Sequence, residues 1–162
     1  MLKSLFKKKE AEKIYAALNG KIVKLEEVPD PVFSQKMMGE GIAIQPTEGK
    51  VVSPVDGKIV QVMDSKHAIG IEDTNGNEIL IHVGLETVAL NGEGFNLHIQ
   101  VGDSVTVGQL LMEFDLAYIE ANAKSTVTPI VITNSGTSGK TFTLTDEQQA
   151  TASETVLIQA TK

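Results

Sequence analysis

Two histidines, His67 and His82, carry most of the chemistry open to this chain. It has no cysteine and no arginine; all 14 of its positively charged side chains are lysines. Without cysteine there is no disulfide framework, thiolate metal site or cysteine nucleophile. Without arginine there is no bidentate phosphate clamp, so phosphate chemistry falls to histidine, lysine or backbone groups. The neutral imidazole is nucleophilic near physiological pH. His82 stands in Glu78-Ile79-Leu80-Ile81-His82-Val83-Gly84-Leu85-Glu86-Thr87. This apolar run follows Asn75-Gly76-Asn77 and reads as a buried strand entered through a tight turn. Alternation places Ile79, Ile81 and Val83 on one face and Leu80, His82 and Gly84 on the other. A leucine on one side and bare backbone on the other leave room for a group to dock on the His82 ring. His67 lies in Ser65-Lys66-His67-Ala68-Ile69-Gly70-Ile71. The Asn-Gly turn folds Ala68–Glu72 against Glu78–Val83 and so brings the two rings to one face. His98, in Phe95-Asn96-Leu97-His98-Ile99, follows an ordinary strand pattern and is expected to be structural.

The elements that must position these rings are short strands. The chain has 162 residues, 41% of them hydrophobic, which suits one globular domain with a real core. From Ala17 onward, glycine, proline and aspartate cut it into strand-length pieces, and Gly20-Lys21-Ile22-Val23 recurs as Gly57-Lys58-Ile59-Val60. The repeat predicts an internal duplication. Gly39–Ile44 and Ala68–Ile71 supply the second strands of the two copies. Further strands are expected at Val51–Val52, Phe95–Ile99, Ser104–Thr106, Leu110–Phe114, Pro129–Ile132 and Thr155–Gln159. Leu116–Ala123 is expected to be a helix. The predicted fold is all-β: an antiparallel sandwich or partly closed barrel, internally duplicated, with one or two short helices.

Residues 1–16 are read as a lysine-rich flexible tail and 17–162 as the domain. Met1 to Lys13 holds five lysines and two glutamates, with Leu2, Leu5 and Phe6 beside them. The pattern suggests a weak amphipathic contact with anionic membrane, and this lysine-rich start tilts toward a free subunit. The net charge of −7 argues against nucleic acid as a partner. No apolar run approaches a membrane span, and no secretory signal is recognised, so a cytoplasmic location is expected.

A family resemblance enters with the remaining motifs. These are Pro29-Asp30-Pro31-Val32-Phe33, Gly39-Glu40-Gly41-Ile42-Ala43-Ile44-Gln45-Pro46, Ser53-Pro54-Val55-Asp56-Gly57 and Lys66-His67-Ala68. They continue through Ile81–Val88, Gly92-Glu93-Gly94-Phe95, Glu113-Phe114-Asp115 and Ser125–Pro129. Together they resemble the glucose-class enzyme IIA domain of the phosphoenolpyruvate-dependent sugar phosphotransferase system, a duplicated hybrid motif. The resemblance implies a phosphoryl carrier that accepts the group from HPr on His82 and passes it to a IIB domain of a sugar permease. It makes His67 the neighbour that holds the phosphoryl group, and Ser65 a hydroxyl that orients His67 or binds phosphate oxygens. Met37, Met38, Met63, Leu80 and Val88 match its apolar docking positions. No cofactor is required; zinc at His67 and His82 is conceivable only with a carboxylate from a partner. The same face could instead serve regulatory docking on other proteins.

Two motifs point elsewhere. Ser135–Thr141 resembles a phosphate-binding loop but has Asn134 where the first glycine belongs, and a strand pattern follows it; a flexible surface loop is expected. Val101–Leu111 resembles the hairpin of biotinyl and lipoyl carriers, for which Lys66 is the nearest lysine. The same hairpin occurs in lysostaphin-type zinc peptidases, but no histidine here has a second histidine two residues away, so their metal triad cannot form.

Overall fold

Glycine, proline and aspartate punctuation gives fourteen strands in the computed structural model, which describes residues 11–162. They are β1 (Glu12–Tyr15), β2 (Gly20–Lys24), β3 (Glu40–Pro46), β4 (Lys50–Val52), β5 (Gly57–Val62), β6 (Ala68–Asp73) and β7 (Glu78–His82). The chain continues with β8 (Phe95–Leu97), β9 (Ser104–Val105), β10 (Leu110–Phe114), β11 (Thr128–Ile132), β12 (Thr141–Leu144), β13 (Gln149–Ala150) and β14 (Val156–Thr161). Among the described residues the α-helices are α1 (Pro31–Ser34) and α2 (Leu116–Asn122); Leu25–Glu27 and Thr87–Leu90 form 3-10 turns. The α2 helix starts where Asp115 accepts a hydrogen bond from Tyr118 N–H, an N-cap. No helix among the described residues is long and apolar enough to cross a membrane.

Eight strands form one antiparallel sheet in the order β13-β2-β3-β11-β7-β6-β5-β9, beside the three-stranded sheets β1-β14-β12 and β4-β10-β8. The large sheet looks duplicated about its centre. Gly20 of β2 pairs with Ala150 at one edge, and Gly57 of β5 pairs with Val105 at the other. The repeated Gly-Lys-Ile-Val segments therefore occupy equivalent strands, each followed by its antiparallel partner, β3 or β6. No sheet closes into a true barrel: the large sheet ends in the two-residue strands β13 and β9.

Both faces of the sheet's centre are buried, so its strands read as continuous apolar runs. Ile42, Ile44, Ile79, Ile81, Ile130 and Ile132 point into the main core. On the opposite face Ala43, Leu80 and Val131 join a smaller cluster with Leu25, Val28 and Phe33. The second cluster lies on His82's side of β7, because Leu80 and His82 are two residues apart.

The boundary expected between residues 16 and 17 falls inside the structure. β1, within the expected tail, pairs with β14 through Glu12↔Ala160 and Ile14↔Ile158, and Ile14 is fully buried. Lysine-rich flanks hid a strand whose stabilising partner lies at the far end of the chain. Leu2, Leu5 and Phe6, the apolar face read as a membrane contact, lie outside the described residues.

Candidate functional site

The β6–β7 hairpin brings the two histidines together. Ala68 pairs with His82, and just beyond the ladder Val83 N–H donates to the His67 carbonyl at 2.7 Å. The ring centroids are 4.8 Å apart and the planes nearly perpendicular, at 80°. After His82 the chain turns through Gly84, whose φ is 73°. A Cβ there would lie 2.6 Å from Thr87 Cγ2 and 2.8 Å from the Ser125 carbonyl oxygen, so position 84 excludes any side chain on both conformational and steric grounds. The turn returns the Gly84 carbonyl to within 2.8 Å of His82 Nδ1. A carbonyl only accepts, so Nδ1 carries the proton and Nε2 of the neutral ring keeps its lone pair. The same peptide is held on its other side by Leu85 N–H, which donates to Ser125 O at 2.9 Å.

Burial keeps both rings neutral. His67 is buried, and its Nδ1 has no hydrogen-bond partner. Loss of solvent, then the nearby His82, pushes its pKa from 6.5 down to about 4. Burial also lowers the His82 value, against the opposing pull of the Gly84 carbonyl and the Asp30 carboxylate. The Ser65 backbone lies near enough to His67 to favour its charged form without making a well-formed hydrogen bond. Among the described residues the Ser65 hydroxyl makes no hydrogen bond to His67, so the expected orienting contact is absent.

Both histidines open onto a pocket of about 490 Å³. Asp30, Phe33, Met38, Met63, Leu80 and Val88 contribute to its wall. Met38, Met63 and Val88 are exposed, as a docking surface requires, whereas Leu80 is only 9% exposed and forms floor more than contact area. Met37 is the most exposed of the five expected docking residues but lines a neighbouring depression with Lys36 and Glu40. Asp30, Phe33, Glu86 and Thr87 also line the pocket, although their sequence motifs give them no place in it. Asp30 caps α1 by accepting from Val32 N–H at 3.0 Å, with Pro31 as the first helical residue. This short helix lays Phe33 on His82, centroid to centroid 5.1 Å. The Asp30-Pro31 pair is a helix-start signal legible in the sequence; its approach to His82 is not.

The sequence model for the phosphoenolpyruvate-dependent sugar phosphotransferase system, EIIA 1, matches residues 12–138. The chain belongs to this EIIA family. It is 50% identical to the PTS system glucose-specific EIIA components of Staphylococcus aureus and Staphylococcus epidermidis, with 99% of each chain covered. The solved glucose permease IIA from Mycoplasma capricolum superposes with a TM-score of 0.87 at 36% identity, covering 93% of this chain and 96% of that one. As an EIIA the chain is a phosphotransferase component, a phosphoryl carrier that takes the group from HPr and hands it to a IIB domain.

The remaining candidates fall outside this EIIA pocket. His98 makes a 2.8 Å contact to Glu113 on the small sheet, in keeping with a structural role. The loop expected to be flexible is tied down. Asn134 accepts from Glu78 N–H and donates to Gly76 O, and Lys140 donates to Glu12, Asn75 O and Asn77. Lys66 sits in the β5–β6 connection with its methylenes against Gly92; family membership, not a modified lysine, accounts for the carrier-like hairpin. Among the described residues no three His, Cys, Asp or Glu side chains gather as a metal site. One nitrogen of His82 is already committed to Gly84, so a four-coordinate zinc at the histidine pair would need ligands from a partner.

Proposed function

We propose that His82 Nε2 is the atom that receives and releases the phosphoryl group in glucose-type sugar uptake. The observation that carries this reading is the 2.8 Å contact of His82 Nδ1 with the Gly84 carbonyl. It leaves Nε2 as the free lone pair at a largely apolar concavity. In the forward step the lone pair attacks phosphorus of the phosphorylated donor HPr, the P–N bond to the donor breaks, and a P–Nε2 bond forms. Nδ1 keeps its proton throughout, so no separate base is required. In the second step the nucleophile of a IIB domain attacks phosphorus in line, and the electron pair returns to Nε2. Two proteins holding their reacting groups in line supply the positioning on which such transfers depend.

His67 stabilises the transferred group by donating to its oxygens; in the free protein burial holds its pKa down at about 4. Ser65 contributes through its backbone in the free protein, and its hydroxyl turns to phosphate oxygens only once they are present. Met38, Met63 and Val88, with Leu80 beneath and Met37 on the flank, form the apolar face on which both partners dock. Methionine adapts to different partners, and the same face accommodates regulatory proteins in the unphosphorylated state. The duplicated sheet makes a stiff β-sandwich platform for this exchange, the protein works in the cytoplasm, and the lysine-rich segment before residue 12 makes a weak contact with anionic membrane.

Incubation with phosphoenolpyruvate, enzyme I and HPr should add one acid-labile phosphoryl group to the parent chain and none to His82→Ala. His67→Ala should accept the group but fail to pass it to a IIB domain. Labelling that persists in His82→Ala moves the acceptor elsewhere and ends this assignment.

A further inference from the structure

Thr87 is fully buried, yet it lines the same pocket as the histidines. Its hydroxyl donates to the Val83 carbonyl at 2.6 Å. The other end of Val83 is also held, since its N–H donates to the His67 carbonyl at 2.7 Å. Hydrogen bonds therefore run from Thr87 through Val83 to the His67 backbone. They cross the chain between His82 and the Gly84 carbonyl that fixes the His82 tautomer. Thr87 Cγ2 occupies the space that a Cβ on Gly84 would need, so its methyl packs where its hydroxyl bonds.

We infer that Thr87 is a positioning residue for phosphoryl transfer, its hydroxyl holding the Val83–Gly84 turn so that the Gly84 carbonyl stays on His82 Nδ1. The inference rests on the reading of His82 as the acceptor. A carbonyl left to swing away from Nδ1 releases the ring to the other tautomer, in which Nε2 carries the proton and has no lone pair for phosphorus. Thr87 acts through the Val83 carbonyl, to which its hydroxyl is committed.

The test uses the full chain with Thr87→Val, which keeps the shape and removes the hydroxyl, and Thr87→Ser, which keeps the hydroxyl and removes the methyl. Nitrogen-15 NMR of the histidine rings reads the His82 tautomer directly, and single-turnover transfer from phosphorylated HPr reads the rate. Thr87→Val should show a growing fraction of Nε2–H ring and a transfer rate lower by roughly tenfold or more, the scale expected for a small misplacement of a reacting group. The KM for phosphorylated HPr should be unchanged, and Thr87→Ser should restore both tautomer and rate. A Thr87→Val protein that keeps a pure Nδ1–H ring and the parent rate overturns the inference. Equal loss in the serine and valine variants also overturns it, because the methyl and not the hydroxyl would then be what matters. If the parent chain takes no label at His82, the acceptor assignment fails and the role of Thr87 in transfer falls with it, while an altered His82 tautomer in Thr87→Val would still show that the hydroxyl holds the ring.

Discussion

Acid should destabilise this protein through His67 before it protonates most of its carboxylates. The ring's pKa lies at about 4 in the fold against an ordinary 6.5, chiefly because the group is buried. The folded protein thus resists a proton that the unfolded chain accepts. Stability is whole above 6.5, declines as pH falls from 6.5 toward about 4, and levels off below that. The gap is worth about 3 kcal/mol in full, of which about 2 kcal/mol is lost on going from neutral pH to about pH 5. Urea denaturation followed by circular dichroism at a series of pH values measures this loss. His67→Gln, neutral and of similar reach, should flatten the decline by about 2 kcal/mol over that range. His82 is present in both proteins, so its own contribution largely cancels. Parallel stability curves for the parent and His67→Gln would refute the claim that burial holds His67 neutral.

Other perturbations test the scaffold and the docking face. Gly84→Ala should cost about 2 kcal/mol or more, because a positive φ and two close contacts act together, and the folded remainder should label slowly from HPr. Lys140→Met should cost about 2 kcal/mol in thermal or urea unfolding by stranding the mostly buried Glu12 carboxylate. Burial by itself would raise the Glu12 pKa, but Lys140 and Asn77 hold it below the usual carboxylate range. That pair's contribution is therefore present above the ordinary value of 4.5 and lost as pH falls through the folded one. Val88→Glu should leave the melting temperature unchanged while raising KM for both HPr and the IIB domain about tenfold, the effect of one repulsive, hydrated group on an apolar docking face.

The sequence by itself determined the strand pattern of the hairpin that carries the site. Isoleucines at Ile79 and Ile81, the Asn75-Gly76-Asn77 turn and the bare Gly84 are local signals with short-range causes, and they put His67 and His82 on one face. The Gly-Lys-Ile-Val repeat likewise announced equivalent strands, because a repeated local pattern folds to a repeated local structure. What only the tertiary structure decided depends on contacts between distant segments. β1 is a strand because β14, at the other end of the chain, pairs with it, and nothing within Glu12–Tyr15 states that. The loop before Lys140 is anchored because Glu12, Asn75 and Asn77 converge on one ammonium group. Asp30 and Phe33 belong to the pocket because α1 folds over β7 and lays an aromatic ring on His82. Thr87 is an ordinary loop residue in the sequence, and only the fold sets its hydroxyl on the Val83 carbonyl beside His82. Secondary structure follows from local pattern; the tautomer of a histidine follows from which carbonyl the completed fold sets against its ring.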